Sequence, residues 1–370
     1  MITSHTQLCG PLWAFIEGRV RVTDPQVAIE PPKPFEGGEY YLLASLLQKA
    51  IRRGEFLTAR RAAHHLFQTT PDRLWHRLMV IALEDVGIGD PEVAIQMVAL
   101  STRPRWRQEF GGDLAALDRL VAEACTAVKD RSADYVYALI SEGHPEPFPK
   151  APPEASRAVL LTTVTDPSLP TLTRMDAAAR AAALEASVRP LQAKLAGLEA
   201  LFGVYRDLGC PPLLIDACKA YTQRSSDMLP LVIPLIWAVW REQGARPDTS
   251  LHDLQADDLG WGMPSYAFDP IHTRLGKRAV RHFLEPYIEL PWTSGQVVAA
   301  LWNVDGACCK TTLTWPEGDK LRTEAEKTEV LRAGGPERPC EPLMAWVTEQ
   351  MPTINESRRT VWRDHNDSNK

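Results

Sequence analysis

The sequence predicts a mainly α-helical protein: a helical-bundle N-terminal domain, a second helical domain, and minor β structure near the C-terminal part. Two observations carry this reading. From Tyr40 onward apolar residues recur at a period near 3.6, as in Leu43, Leu46, Leu47, Ala50 and Ile51, and that spacing gathers side chains on one face of a helix. Prolines also follow cap-forming residues, in Thr70-Pro71 and Asp90-Pro91. Proline suits the first helical position because the N–H there has no intrahelical partner.

Residues 1–40 carry Arg19-Val20-Arg21-Val22, then Val27 and Ile29, an alternation that reads as a short hairpin or an extended arm. The first helical stripe ends at Gly54, where a helix can stop in the left-handed conformation. Phe56, Ala59, Ala63, Leu66 and Phe67 form a second stripe. Leu74, Leu78 and Ile81 form a third, closed by Gly87-Ile88-Gly89. Val93, Met97 and Leu100 follow the Asp90 cap, Leu114 to Val128 gives another amphipathic helix, and Ser132 to Ile140 a short one. Together these define a helical domain at 41–144. Pro145, Pro147, Pro149, Pro152 and Pro153 mark a linker at 145–153.

The second helical segment, 154–249, is alanine-rich from 171 to 209, with a break near Pro190 and a new start at Pro211-Pro212. Met228 to Trp240 is apolar on every face, as a buried core helix is. In the mixed α/β segment 250–316, Asp269-Pro270 starts a helix with Ile271, Leu275, Ala279 and Phe283 on one side, and strands are expected at Val297–Trp302 and Thr311–Trp315. Residues 317–370 read as a charged, partly flexible tail.

Composition narrows the function classes. The 370 residues carry 41 Lys+Arg against 47 Asp+Glu, a formal charge of −6, whereas nucleic-acid domains commonly have a net basic footprint. The apolar run at Met228–Trp240, broken by Pro230 and Pro234, is shorter than the about 20 residues of a spanning helix. No membrane partner is therefore expected. The first residues lack a basic region followed by an apolar core, so a cytoplasmic location is expected. The seven cysteines include no Cys-x-x-Cys, so they read as reduced thiols and no metal or cofactor is anticipated from them.

Two stretches carry a resemblance. Leu47-Gln48-Lys49-Ala50-Ile51-Arg52-Arg53-Gly54, followed by Leu74 to Leu83 and then Glu84-Asp85-Val86-Gly87-Ile88-Gly89-Asp90-Pro91, resembles the C-terminal helical region of replication-associated recombination ATPases, which are clamp-loader-type AAA+ proteins. Lys129 to Ala138 is more loosely similar to a later patch of that family. The resemblance covers about 43–141 and implies a helical oligomerisation region whose ATPase module is missing here. From the residues themselves, Gly87 and Gly89 permit a tight reversal, Asp90 caps a helix, and Glu84 and Asp85 sit at a helix C-terminus. There they oppose the macrodipole, so cationic or backbone partners are expected beside them. The motif reads first as an inter-helix corner, then as a subunit contact, and last as a site of chemistry.

Chemistry is sparsely signalled. Asp305-Gly306-Ala307-Cys308-Cys309-Lys310-Thr311-Thr312 ends like a phosphate-binding loop, but Cys309 stands where that loop needs glycine. Asp269 and His272 are three apart, a spacing that can pair a carboxylate with an imidazole for proton transfer; His252 and Asp253 are candidate additions, and a helix cap is the plainer reading of Asp269. The following residues Arg274, Lys277, Arg278, Arg281 and His282 have no acid among them; they suit a phosphate track or a solvated face. Arg103, Arg105 and Arg107 surround Trp106 in a second basic cluster, which suits base stacking or a core anchor.

Three functions remain in competition. The first is a non-ATPase accessory or scaffold protein of DNA replication, repair or mobile-element maintenance, partnered by itself or by a replication or repair protein. The second is a metal-assisted hydrolase or nuclease using Asp269 and His272. The third is a DNA-binding protein without chemistry that uses the basic helix at 270–285.

Overall fold

In the computed structural model, residues 10–21, 30–141, 149–183, 192–244, 246–248, 256–332 and 341–368 are described. Seventeen α-helices and two three-residue strands make up these segments, so the mainly α class with minor β is what the chain adopts.

The bundle starts with α1 (Gly10–Arg21). Arg19, Val20 and Arg21 thus end a helix instead of a hairpin strand, and Leu12 and Ile16, four apart, are buried by it; Val22, Val27 and Ile29 lie outside the described residues. Helices α2 (Tyr40–Arg53) and α3 (Phe56–Thr69) form an antiparallel pair joined at Gly54, which adopts φ +71°. Helix α4 (Pro71–Ile81) runs into a π-helical turn at Ala82–Val86. There follow α5 (Pro91–Thr102), α6 (Pro104–Glu109), α7 (Asp113–Thr126) and α8 (Ser132–Ser141). The periodic stripes read from the sequence supply their buried residues, from Leu43 and Leu46 through Leu117 and Val121.

Helices α9 (Arg157–Thr165), α10 (Thr171–Ala183), α11 (Gln192–Asp207), α12 (Pro212–Thr222) and α13 (Leu229–Gln243) follow. Helix α13 is the core helix its composition demands, buried from Leu229 through Ile236. One apolar cluster extends from Leu12 to Trp362 and takes in residues on both sides of the proline-rich 145–153 stretch. The part of that stretch that is described is held down by Arg180, which donates to the carbonyls of Ala151 and Pro152.

The C-terminal part departs most from expectation. Strand β1 (Arg246–Asp248) pairs antiparallel with β2 (Thr312–Thr314), so the strand expected at 311–315 exists. The one expected at Val297–Trp302 does not. Thr293 and Gln296 form a reciprocal capping box that starts helix α15 (Ser294–Leu301), and local capping outweighs the β-branched pair Val297-Val298. A second π-helical turn, Trp302–Gly306, follows. The expected tail instead contains α16 (Pro316–Arg332) and α17 (Glu341–Asp367). Val347, Ile354, Val361 and Trp362 give α17 a buried face that the high charge of the segment hides. Helix α14 (Arg274–Leu284) lies along α17, and Val280 and Phe283 join Val297, Leu301 and Val347 in a smaller second core.

Candidate functional site

The site begins with α2. Gln48, Lys49 and Arg52 are buried polar residues on a helix whose other buried positions are mostly aliphatic, and ionised groups are rarely buried without partners. Their partners come from two directions.

The first is the π-helical turn after α4. Gln48 Nε2 donates to Glu84 Oε1 at 2.6 Å and to Asp85 Oδ2 at 2.8 Å. Arg52 Nε stands 3.3 Å and Arg131 Nε 3.5 Å from Asp85 Oδ1. The two stretches that carry the family resemblance therefore meet, and the cations expected beside the helix-end carboxylates are Arg52 and Arg131. Gly87 and Gly89 make the approach feasible. A Cβ on Gly87, at φ +52°, would fall 2.5 Å from the Asp130 carbonyl oxygen, and one on Gly89 2.5 Å from that of Val128. Asp90 accepts from the Val93 N–H as the cap of α5. Burial pushes the Glu84 carboxyl up to about 8, with Asp134 and Asp85 adding repulsion. Burial lifts the Asp85 carboxyl too, against the pull of Arg52 and Arg131.

The second direction is the C-terminal part. Lys49 Nζ lies 3.1 Å from Asp269 Oδ2 and donates to the Tyr266 carbonyl at 3.0 Å. Arg53 and Arg358 converge on Asp305 at 2.9 and 2.8 Å. Asp269 also accepts at 2.7 Å from the backbone N–H groups of Ile271 and His272. It therefore caps a turn, while Thr273 caps α14, which starts at Arg274 and not at Pro270. Burial would lift the Asp269 carboxyl, but the Lys49 ammonium and the His272 hydrogen bond outweigh it and hold it well below the usual range. His272 Nδ1 is 3.3 Å from Asp269, and its side chain is 66% exposed.

The pair is thus real, but a carboxylate so strongly held is a poor proton acceptor. Among the described residues no three His, Cys, Asp or Glu side chains converge as a metal set; His252 and Asp253 lie outside them. The 305–312 loop has backbone amides committed elsewhere: Ala307 N–H donates to the Trp302 carbonyl and Lys310 N–H to that of Arg52.

Between these two sets of contacts lies a cleft of about 650 Å³. Gln48, Arg52, Glu84, Arg131, Asp134 and Asp269 contribute its charged and amide lining, and Tyr41, His76, Arg77, Tyr137, His272 and Trp302 its aromatic and basic walls. Tyr41 and Tyr137 are 58% and 42% exposed. Sequence reasoning quoted Gln48, Lys49 and Arg52 without assigning them to a site, and missed Arg77, Trp302 and Arg358. The available signal was the set of polar residues at 48, 49 and 52 in an otherwise apolar stripe.

The two basic clusters separate. Arg107 is buried, bonded to Asp113 at 2.6 Å and to the Leu100 carbonyl, with its guanidinium 4.0 Å from the centre of the Trp75 ring. Trp106 is buried in the core. Arg103 is half-buried and reaches Gln223, leaving Arg105 exposed. Trp106 and Arg107 thus anchor a corner of the bundle, while Arg105 faces solvent. On α14 the opposite holds: Arg274, Lys277, Arg278, Arg281 and His282 are all exposed. Arg274 contacts Glu39 at 3.5 Å and Arg278 contacts Asp364 at 3.3 Å. No helix among the described residues is long and apolar enough to cross a membrane.

Comparison with protein-family models, with curated proteins and with solved structures finds no match to the chain.

Proposed function

We propose that the chain is a non-ATPase accessory or scaffold protein of DNA replication, repair or mobile-element maintenance, working through contacts made by its helical region at 43–141. The observation that carries this reading is the union of the two stretches on which the resemblance rests, through Gln48 and Arg52 onto Glu84 and Asp85. These residues act as one structural corner, which fits an assembly module better than a reaction centre. The exposed Tyr41 and Tyr137 rings beside that corner supply the amphipathic contact area that interfaces favour. Light scattering of the full chain, with and without DNA, together with binding to the replication and repair ATPases of its host, tests the proposal. Self-association or a defined complex is expected. A strict monomer that binds neither DNA nor such a protein would remove it.

DNA binding by α14 is a second reading, favoured by its row of exposed cations. The hydrolase reading is the weakest, because Asp269 is committed to Lys49 and to the turn that it caps.

A further inference from the structure

The cleft beside α2 contains hydrogen-bonding capacity that the protein itself leaves unused. Arg52 is 2% exposed, and its Nε and Nη1 groups have no hydrogen-bond partner. Its ionic neighbour, Asp85, is 3.3 Å away but poorly aligned for hydrogen bonding. Arg131 Nε is likewise without a partner. A buried guanidinium with unused N–H groups is costly, and an anion entering the cleft would relieve that cost by taking bidentate bonds. The carboxylates that share the cleft are already engaged: Asp134 by Arg131, Asp269 by Lys49, and Asp227 by the Tyr221 hydroxyl and the Leu229 N–H. Glu84, held largely protonated, adds a hydrogen-bond donor without adding charge.

The walls narrow the class of anion. Tyr41 and Tyr137, both exposed, border the cleft and offer ring faces to a planar group, with the buried Trp302 ring behind Arg52. Two further cations stand near the start of α2, the helix that brings Tyr41 to the cleft. Arg73 stacks 3.4 Å from the centre of the Tyr40 ring, and Arg274 reaches Glu39, the residue before α2. From Arg274 to Arg281 the helix rises about 10 Å, which is about three nucleotide steps at the spacing of one DNA strand. The pairs made by Arg274 and Arg278 are exposed and weak, so phosphates can displace them.

We propose that this cleft takes the terminal nucleotide of a nucleic-acid strand, with its phosphate on Arg52, its base against the aromatic wall, and the adjoining phosphates along α14. The inference rests on the reading above only in taking nucleic-acid transactions as the setting, because the assembly surface of that reading needs no strand.

The test is fluorescence anisotropy of the full chain with a labelled single-stranded oligonucleotide. It is competed by the same sequence as a 5′-phosphorylated linear strand, a 3′-phosphorylated linear strand, a covalently closed circle, and a free nucleoside monophosphate. At least one linear strand is expected to compete ten-fold or more better than the circle. Tyr41→Ala and His272→Ala, both at exposed side chains, are expected to abolish that preference. Lys277→Glu with Arg281→Glu is expected to weaken all strands and to reduce the slope of log affinity on log salt by about 1.4, since each phosphate contact on a single strand contributes about 0.7.

Equal competition by circle and linear strands, or an end preference that survives both cleft variants, would overturn the proposal. So would competition by the free nucleotide equal to that of the strand, which would make the cleft a small-molecule site. Light scattering on the same variants separates the two proposals: loss of end binding with assembly intact leaves the scaffold reading standing, and the converse leaves the strand site standing.

Discussion

Helices α2 and α14 both place cations beside an apolar stripe: Lys49, Arg52 and Arg53 on the first, and Arg274, Lys277, Arg278 and Arg281 on the second. On α2 the cations are enclosed, and each faces a carboxylate from another part of the chain: Asp269, Asp85 and Asp305 in turn. On α14 they face solvent, and the two carboxylates that approach them are themselves partly or largely exposed. Similar local sequences thus serve different ends. A buried ion pair fixes which elements pack together because neither charge can turn to water, though Arg52 keeps N–H groups to spare, whereas the whole head group of an exposed cation is open to an outside anion.

The comparison is tested most severely at Lys49. Asp269→Asn keeps an oxygen for the Ile271 and His272 N–H groups but leaves the buried Lys49 ammonium without its counter-charge. Breaking one side of a buried pair costs about 3–5 kcal/mol, so the urea midpoint should fall sharply. Adding Lys49→Met should recover most of the loss, since an apolar side chain of similar length replaces the stranded charge. A single variant within 1 kcal/mol of wild type, about the scale of an exposed ion pair, would place Lys49 in the same class as the α14 cations.

That difference also explains what could be read in advance. The helices of the bundle were legible because aliphatic spacing and cap–proline pairs are local signals, and Leu43, Leu46, Pro71 and Asp90 do what their spacing implies. The requirement that Glu84 and Asp85 find cationic partners was legible from the macrodipole. Their identity was not, because Arg52 and Arg131 lie far away along the chain. The C-terminal part was read least well for a related reason. Helix α17 buries Val347, Ile354, Val361 and Trp362 across a segment rich in charge, and its packing partner α14 lies more than sixty residues earlier. Arg105 and Arg107 are two residues apart with opposite fates, because the α6 turn directs one to Asp113 and the other to solvent.

Glu84 gives a second, smaller test of the buried corner. Its unfolded-state pKa is about 4.3, while burial pushes the folded value up to about 8. Between these limits the folded protein holds a proton that the unfolded chain has released, so its stabilising contribution is full below about pH 4 and is lost as pH rises toward 8. Glu84→Gln cannot ionise and should flatten the decline. Because the side chain keeps some surface open to the cleft, the difference between wild type and variant is expected to grow by about 1–2 kcal/mol from pH 5 to 8. Parallel denaturation profiles over that range would mean that Glu84 is ionised in the folded state and that the Arg52 side of the corner dominates its field.

The smallest effect belongs to the exposed helix. Lys277 and Arg281 face water beyond the apolar contacts that Leu275, Ala279 and Phe283 make beneath them. Replacing both by Gln removes two charges without opening the core, and surface changes of this kind shift stability by no more than about 0.5 kcal/mol. Thermal melting of Lys277→Gln/Arg281→Gln should therefore match wild type, in contrast to the loss expected for Asp269→Asn. If the melt instead falls by as much as a buried pair would require, these cations support the contact between α14 and α17. The basic face would then hold two helices together in the manner of α2 and would not be free to meet a phosphate chain.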